Sequence, residues 1–485
     1  MNYKMIGRFL SRMIAVETVF LLPALFISLY HTEHTAVYAF LITLSIMVLV
    51  SGILLAVSRK SGVVFAAKEG LVCVCVSWIA ISLLGCLPFV FSGEIPNFID
   101  ALFETVSGFT TTGASILSDV ESLSNGLLYW RSFSHWLGGM GVLVFLLAIA
   151  PGEGGKGFTM PLLRAESPGP DVGKLVPKMK STAMILYILY IVLTVLNFIF
   201  LLVGGMDPLE AICTAYGTAG TGGFGVRNDS IAGYSPYIQN VCTVFMFLFG
   251  INFSCYYLLL LRQFKSVFGD EELRAYISII LGSIVLITLN LLACGYYPTL
   301  EETIRHAAFQ VGSIITTTGY ATTDFDLWPS FSRTLLLCLM VVGASAGSTG
   351  GGLKVARLLL LMKGLRRNIR QMLNPRKVEV VRNNGNPVSE QILDNTNAYL
   401  AAYVLIIFVV FAIIALDGFS VGTNFSAGLC TFNNIGPGRE AVGPTCNFGA
   451  YSDLSKLVLS WARRAGRLEI FPILVLFSKE TWRNR

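Results

Sequence analysis

Four short segments of this sequence set small hydroxyl or amide side chains beside a glycine: Thr110-Thr111-Thr112-Gly113, Ala219-Gly220-Thr221-Gly222, Thr316-Thr317-Thr318-Gly319 and Asn433-Asn434-Ile435-Gly436. Such residues offer no nucleophile paired with a base. What they offer is backbone. A glycine reaches conformations closed to other residues, and small neighbours let carbonyl oxygens line a narrow passage, where they replace the water stripped from a cation. A ring of such turns is what an ion filter requires.

Long apolar segments flank every turn. The 485-residue chain is 54% hydrophobic and 13% charged, where soluble domains carry about 25% charged residues. About ten stretches are long enough to cross a hydrocarbon core, near 9–30, 36–57, 71–92, 133–150, 183–204, 237–261, 275–295, 332–362, 396–416 and 454–477. So many apolar runs with so few charges exclude a large soluble protein and predict a multi-pass protein embedded in the lipid bilayer. The stretch after Lys4, Arg8 and Arg12 has the form of a signal peptide but is long and has no small-residue cleavage site, so it reads as a retained span.

The charges orient the spans. With both termini in the cytoplasm, 26 Lys and Arg fall inside and six outside, leaving aside Arg463, Arg464 and Arg467 within the last span. The inside set includes Arg59, Lys60, a run from Lys156 to Lys180 and a dense stretch from Lys354 to Arg382. The net charge of +6 is therefore mostly a topology signal, and nothing suggests a nucleic-acid partner. Ten cysteines form no C-x-x-C, and most lie in apolar spans, where they act as small hydrophobes. Cys430 and Cys446 alone could face outward together, with a disulfide possible but not favoured.

The turns belong to a repeat. Their closing glycines are 109, 97 and 117 residues apart, and the positions ten residues before them are Phe103, Ile212, Phe309 and Ser426. Each unit reads as outer helix, short half-crossing helix, turn, inner helix. The expected fold is an all-α integral membrane protein of four pseudo-repeated helix–pore loop–helix units around a central pore, preceded by an N-terminal helical pair. The boundaries are 1–69 for the pair and 70–180, 181–272, 273–393 and 394–485 for the four units. The short helices start at Pro96 and Asp100, at Asp207-Pro208, and at Pro298 with Glu301 and Glu302. Stopping midway, each aims the negative end of its dipole at the pore centre, which favours a cation.

Two further features stand out. Gly343-Ala344-Ser345-Ala346-Gly347-Ser348-Thr349-Gly350-Gly351-Gly352 interrupts the third inner helix, and with each glycine costing on the order of 1 kcal/mol against alanine the helix breaks there. The broken segment can lie across the pore as a gate, or act as a passive kink. A nucleotide-binding loop is discounted because Leu353 separates the glycines from Lys354. Arg467, inside an apolar span, is either a charge barrier below the turns, a partner of Glu469, or a residue snorkelling to the surface. Arg463 and Arg464 have no evident role.

With the turns, the Gly222-Gly223-Phe224 and Gly436-Pro437-Gly438 extensions and Gly466-Arg467-Leu468-Glu469 in the final helix, the chain resembles the TrkH/TrkG/KtrB family of bacterial potassium uptake proteins, and its length and N-terminal pair are most like the TrkH branch. The resemblance implies a potassium-channel-like tetramer written in one polypeptide, a homodimer in the bacterial inner membrane, and a TrkA-type cytoplasmic nucleotide-binding ring as partner. It implies no covalent cofactor; nucleotide acts only through that partner. By the same analogy the potassium-binding filter comprises Thr111, Thr112, Gly113, Gly220, Thr221, Gly222, Thr317, Thr318, Gly319, Asn434, Ile435 and Gly436, with the hydroxyls of Thr110 and Thr316 bracing the turns.

The function expected is potassium or rubidium translocation. A proton- or sodium-coupled potassium symporter, or a secondary solute carrier, is the alternative. An inverted-repeat carrier would need units of opposite topology, whereas all four units here enter from one side. An enzyme would need a nucleophile with a base, or a metal cluster, and the four histidines have no metal-ligand spacing. Asp119, Glu121, Asp229, Asp324, Asp326 and Glu440 follow the turns, either drawing cations toward the mouth or serving as ordinary loop acids. Arg366, Arg367 and Arg370 are the expected docking point for the regulator.

Overall fold

The computed structural model describes residues 3–58, 67–141, 179–376 and 379–483. Arg59, Lys60, the end of the 133–150 stretch and most of the run from Lys156 to Lys180 lie outside the described residues. The chain is a multi-pass, all-α membrane protein whose one small sheet among the described residues pairs Arg382–Asn383 with Asn386–Pro387.

Helices α1 (Tyr3–Tyr30) and α2 (His34–Val57) pack as a pair glued by two serines. Ser11 Oγ donates to the Ser51 carbonyl at 2.8 Å and Ser51 Oγ donates to the Ser11 carbonyl at 2.9 Å, the small-residue contact that lets helices approach in a bilayer. The order outer helix, short helix, turn, inner helix then runs four times. The first unit holds α3 (Ala67–Gly85), its continuation α4 (Leu87–Ser92), the short α5 (Phe98–Phe109) and the inner α6 (Asn125–Gly139). The second holds α7 (Met179–Val203), the short α8 (Pro208–Gly220), and α9 (Pro236–Phe249) with α10 (Phe253–Leu260). After α11 (Phe264–Gly269), the third holds α12 (Glu271–Ala293), the short α13 (Leu300–Ile315), α14 (Ser330–Val342) and α15 (Val355–Leu373). The fourth holds α16 (Glu390–Ile414), the short α17 (Val421–Phe432), α18 (Asp453–Arg467) and α19 (Phe471–Phe477).

The short helices have 12, 13, 16 and 12 residues, so at about 1.5 Å per residue none spans a core of about 30 Å. Each begins at a side-chain cap: Asn97, Asp207, Thr299 and Ser420 accept from the backbone N–H of Ile99, Leu209, Glu302 and Thr423.

Among the described residues, six helices are long and apolar enough to cross a membrane, or seven counting α9 with α10. Three of the expected stretches, 237–261, 332–362 and 454–477, are not single helices among the described residues, because the second, third and fourth inner helices are broken. The α9–α10 pair bends by 87° around Gly250–Asn252, with Asn252 capping the second piece through the Ser254 N–H at 2.9 Å. The third inner helix breaks over residues 343–354, and the fourth at Glu469 and Ile470, both at positive φ.

Candidate ion-coordinating ring

The four turns have one backbone geometry. Thr111, Thr221, Thr317 and Asn434 take φ of 54°, 52°, 61° and 58°, a left-handed conformation that costs non-glycine residues energy and persists only where the surroundings impose it. The next residue ties back to its short helix: Thr112, Gly222, Thr318 and Ile435 donate their N–H to the carbonyls of Ser107, Gly217, Ser313 and Cys430 at 2.9, 2.8, 2.8 and 2.9 Å. Then comes a glycine at φ of 77°, 75°, 85° and 100°: Gly113, Gly223, Gly319 and Gly436. The shared glycine of the second unit is therefore Gly223. The sequence alignment on Gly222 is one residue out of register, and Gly222 occupies the place of Thr112, Thr318 and Ile435. Gly220 lies one residue before the left-handed position, at the end of α8.

The turns close on one another. A Cβ built on Gly113 would strike the carbonyl oxygen of Gly222, one on Gly223 that of Thr318, one on Gly319 that of Ile435, and one on Gly436 that of Thr112 at 2.6 Å. The contacts run from the first unit through the second, third and fourth back to the first. No donor among the described residues hydrogen-bonds any of these four oxygens. The hydroxyls of Thr110 and Thr316 brace their turns, donating to Val106 and Gly312 carbonyls at 2.6 Å and meeting Thr112 and Thr318 hydroxyls at 2.8 and 2.7 Å. In the fourth unit Asn433 takes that place, its amide donating to the Leu429 carbonyl at 3.0 Å, while the Asn434 amide donates to the Thr112 hydroxyl at 3.0 Å and the Arg463 carbonyl at 3.1 Å.

On one side of the ring lies a cavity of about 130 Å³ lined by Gly113, Gly223, Gly319, Gly436, Arg131 and Arg227 among others, with no carboxylate in its wall among the described residues. The acids sit around it in structural roles. Asp119 accepts from Asn228 Nδ2 at 2.9 Å, and Asp326 pairs with Arg439 at 3.1 Å. Hydrogen bonds from Ser420 and Thr423 hold the Glu440 carboxyl below the usual carboxylate range. Cys430 is buried, Cys446 exposed, and both are free thiols.

On the other side lies the glycine-rich segment, almost wholly buried. Gly351 N–H donates to Thr317 Oγ1 at 2.6 Å, and a Cβ on Gly350 would come 2.8 Å from the Thr316 carbonyl. The kink of the second inner helix cups the segment: Ser345 N–H donates to the Gly250 carbonyl and Phe253 N–H to the Gly347 carbonyl, both at 3.1 Å. Glu272 accepts from Ala346 and Ala356 N–H at 2.6 and 3.2 Å. Lys354, buried, donates to the Gly350 carbonyl.

Arg467 meets this segment directly, donating to the Thr349 carbonyl at 2.7 Å and to the Gly138 and Gly139 carbonyls at 2.5 and 2.6 Å. Glu469 pairs with Arg357, whose guanidinium sits 3.9 Å from the Tyr399 ring. Arg463 is fully buried, 3.6 Å over the Phe103 ring and donating to the Phe103 carbonyl at 3.2 Å. It faces the first short helix instead of lipid. The docking arginines are partly engaged, Arg367 with Glu390 at 2.6 Å and Arg370 with Glu379, while Arg366 is exposed.

Sequence reasoning missed Arg131 and His135. Arg131 pairs with Glu104 at 2.7 Å. His135 Nδ1 lies 2.8 Å from the Gly108 carbonyl, while Nε2 accepts from Phe224 N–H at 3.2 Å, which assigns a neutral ring with the proton on Nδ1. A carboxylate in the middle of a short apolar helix was the available signal for the first; a lone histidine carried none for the second.

Four short capped helices entering from one side, with their turns closed into a ring, define a membrane protein of the pore-loop class. The chain belongs to the TrkH family: the family model, described as cation transport protein, matches residues 36–484. It is 35% identical over 492 residues to the Trk system potassium uptake protein TrkH of Escherichia coli (strain K12), covering 100% of both chains. It is 33% identical to TrkG of the same strain, covering 96% of this chain and 95% of that one. Among solved structures it is similar to the crystal structure of the potassium transporter TrkH from Vibrio parahaemolyticus, with a TM-score of 0.90, 30% identity and 100% of both chains covered. The family is one of transporters, not enzymes.

Proposed function

We propose that the chain carries potassium ions, and rubidium in their place, across the bacterial inner membrane through the ring of four turns. The observation that carries this is the closure of Gly113, Gly223, Gly319 and Gly436 onto the carbonyls of their neighbours, with those oxygens free of donors among the described residues. Oxygens held in that way can replace a hydration shell. The C-terminal ends of four short helices converge there and add a favourable potential for a cation. The relatives named as potassium uptake proteins supply the identity of the ion.

In this reading residues 343–352 are the gate. They lie against the third and fourth turns, where they obstruct the path, and Arg467 adds a positive charge at the same level. The ring's cavity faces the outside and both termini the cytoplasm. A TrkA-type nucleotide-binding ring docks at the cytoplasmic face, and two copies of the chain pair in the membrane.

The test is flux into liposomes holding the purified protein, with potassium, rubidium, sodium and lithium in competition, beside a Gly113→Ser variant. Potassium and rubidium uptake that loses discrimination in the variant is the expected result. No cation flux, even with the cytoplasmic partner supplied, would overturn the proposal. Repeating the uptake with and without imposed proton and sodium gradients separates a passive pore from a symporter.

A further inference from the structure

A single buried ion pair bridges the first and second turns. Glu104 lies nine residues before Gly113, in the middle of α5, and is fully buried; Arg131, in α6, is 3% exposed. Arg131 Nε meets Glu104 Oε1 at 2.7 Å. The carboxylate also holds the segment just past the first glycine, accepting from Ser115 Oγ at 2.9 Å and from Ile116 N–H at 3.0 Å. The guanidinium holds the segment just past the second glycine, donating from Nη1 to the Gly225 carbonyl at 2.9 Å and lying 3.5 Å over the Phe224 ring. Phe224 also packs on His135, with ring centroids 4.2 Å apart. One ion pair thus anchors the backbone leaving both glycines.

The third and fourth turns are joined by a more exposed pair, Asp326 with Arg439 at 3.1 Å, but among the described residues no other short helix carries a fully buried carboxylate at the position of Glu104. Nine residues before Gly223, Gly319 and Gly436 stand Thr214, Gln310 and Ala427, and the buried amide of Gln310 makes no hydrogen bond among the described residues. The charge is placed where it matters, because Arg131 lines the cavity above the ring. Paired, it presents little field to an arriving cation. Unpaired, it would repel one across a short, poorly screened distance.

We infer that Glu104 and Arg131 are specificity-positioning residues, whose ion pair sets the separation of the first and second turns and so the discrimination between cations of different size. This rests on the proposed transport function. A buried pair of this kind adds little net stability compared with apolar replacements, and its best-attested use is fixing one arrangement against another.

The test uses the full chain in liposomes and measures the potassium-over-sodium uptake ratio per folded protein for Glu104→Gln, Arg131→Lys and Ser115→Ala, with melting temperatures alongside. Glu104→Gln and Arg131→Lys should each lower the ratio by about tenfold, equivalent to ~1.4 kcal/mol of differential binding. Ser115→Ala removes one hydrogen bond and no charge, and should lower it less. If Glu104→Gln and Arg131→Lys fail to fold, Ser115→Ala decides alone. A wild-type ratio in every variant that folds, whatever its melting temperature, would make the pair merely structural and overturn the inference while leaving the transport reading intact. Potassium uptake without discrimination in the wild type would likewise overturn the inference alone, whereas no cation uptake by the wild type would overturn both.

Discussion

At the scale of single residues, the ring works by denying space. Gly113, Gly223, Gly319 and Gly436 combine positive φ with a neighbour's carbonyl where a Cβ would stand, so two independent penalties oppose any side chain there. Gly222 has no such φ, and a Cβ on it would instead meet the His135 ring. Gly223→Ala should therefore abolish discrimination, whereas Gly222→Ala should regain part of its activity when combined with His135→Ala. Flux selectivity of the three variants checks this, and equal, unrescued loss for both glycines would contradict it. The slip between the two was built into the spelling. Ala219 to Gly223 contains three glycines, and composition does not tell which one takes positive φ; the hydrogen-bond register does. Likewise Glu104 and Arg131 stand 27 positions apart, and no local pattern joins them.

At the scale of elements, the breaks carry more than the helices. The third inner helix was legible as broken because its glycines are dense. The kink at Gly250–Asn252 rests on a single glycine and an asparagine cap, and the fourth break on Glu469 and Ile470 in left-handed conformation, which composition does not announce. The kink of the second inner helix holds the glycine-rich segment through Gly250, and Glu272 of the outer helix α12 and Arg467 of α18 hold it as well. Deleting Ala346 to Gly350 should raise basal flux, and unchanged flux would remove the gate role. A finer test is Thr317→Val, which deletes the acceptor for Gly351 N–H and should also raise flux, by loosening the segment from the ring. Arg467→Gln should do the same by weakening its hold on Thr349.

At the scale of the whole molecule, the N-terminal pair packs along the first unit, with Phe20 and Phe133 rings 5.5 Å apart, and one of its residues caps the first inner helix. Glu33, between α1 and α2, accepts from Asn125 and Gly126 N–H at 2.6 and 3.2 Å and so caps the first inner helix from outside its own unit. Glu33→Ala should cost about 1 kcal/mol, as loss of a cap does, lowering the melting temperature without altering ion discrimination. For the regulator, Arg366→Ala is the cleaner probe, because Arg367 and Arg370 already serve the chain's own glutamates. It should weaken the response to the cytoplasmic partner while the permeating ion stays the same.

Because the four turns lie on one polypeptide, a change at any of them is made once. In an assembly of four identical chains every substitution arrives fourfold, and small adjustments are out of reach. Here the first junction holds an ion pair, the fourth turn an asparagine, and the third a hydroxyl contact with the glycine-rich segment, so the corners are already unequal. Selection can therefore tune this ring in quarter steps, and a laboratory can do the same.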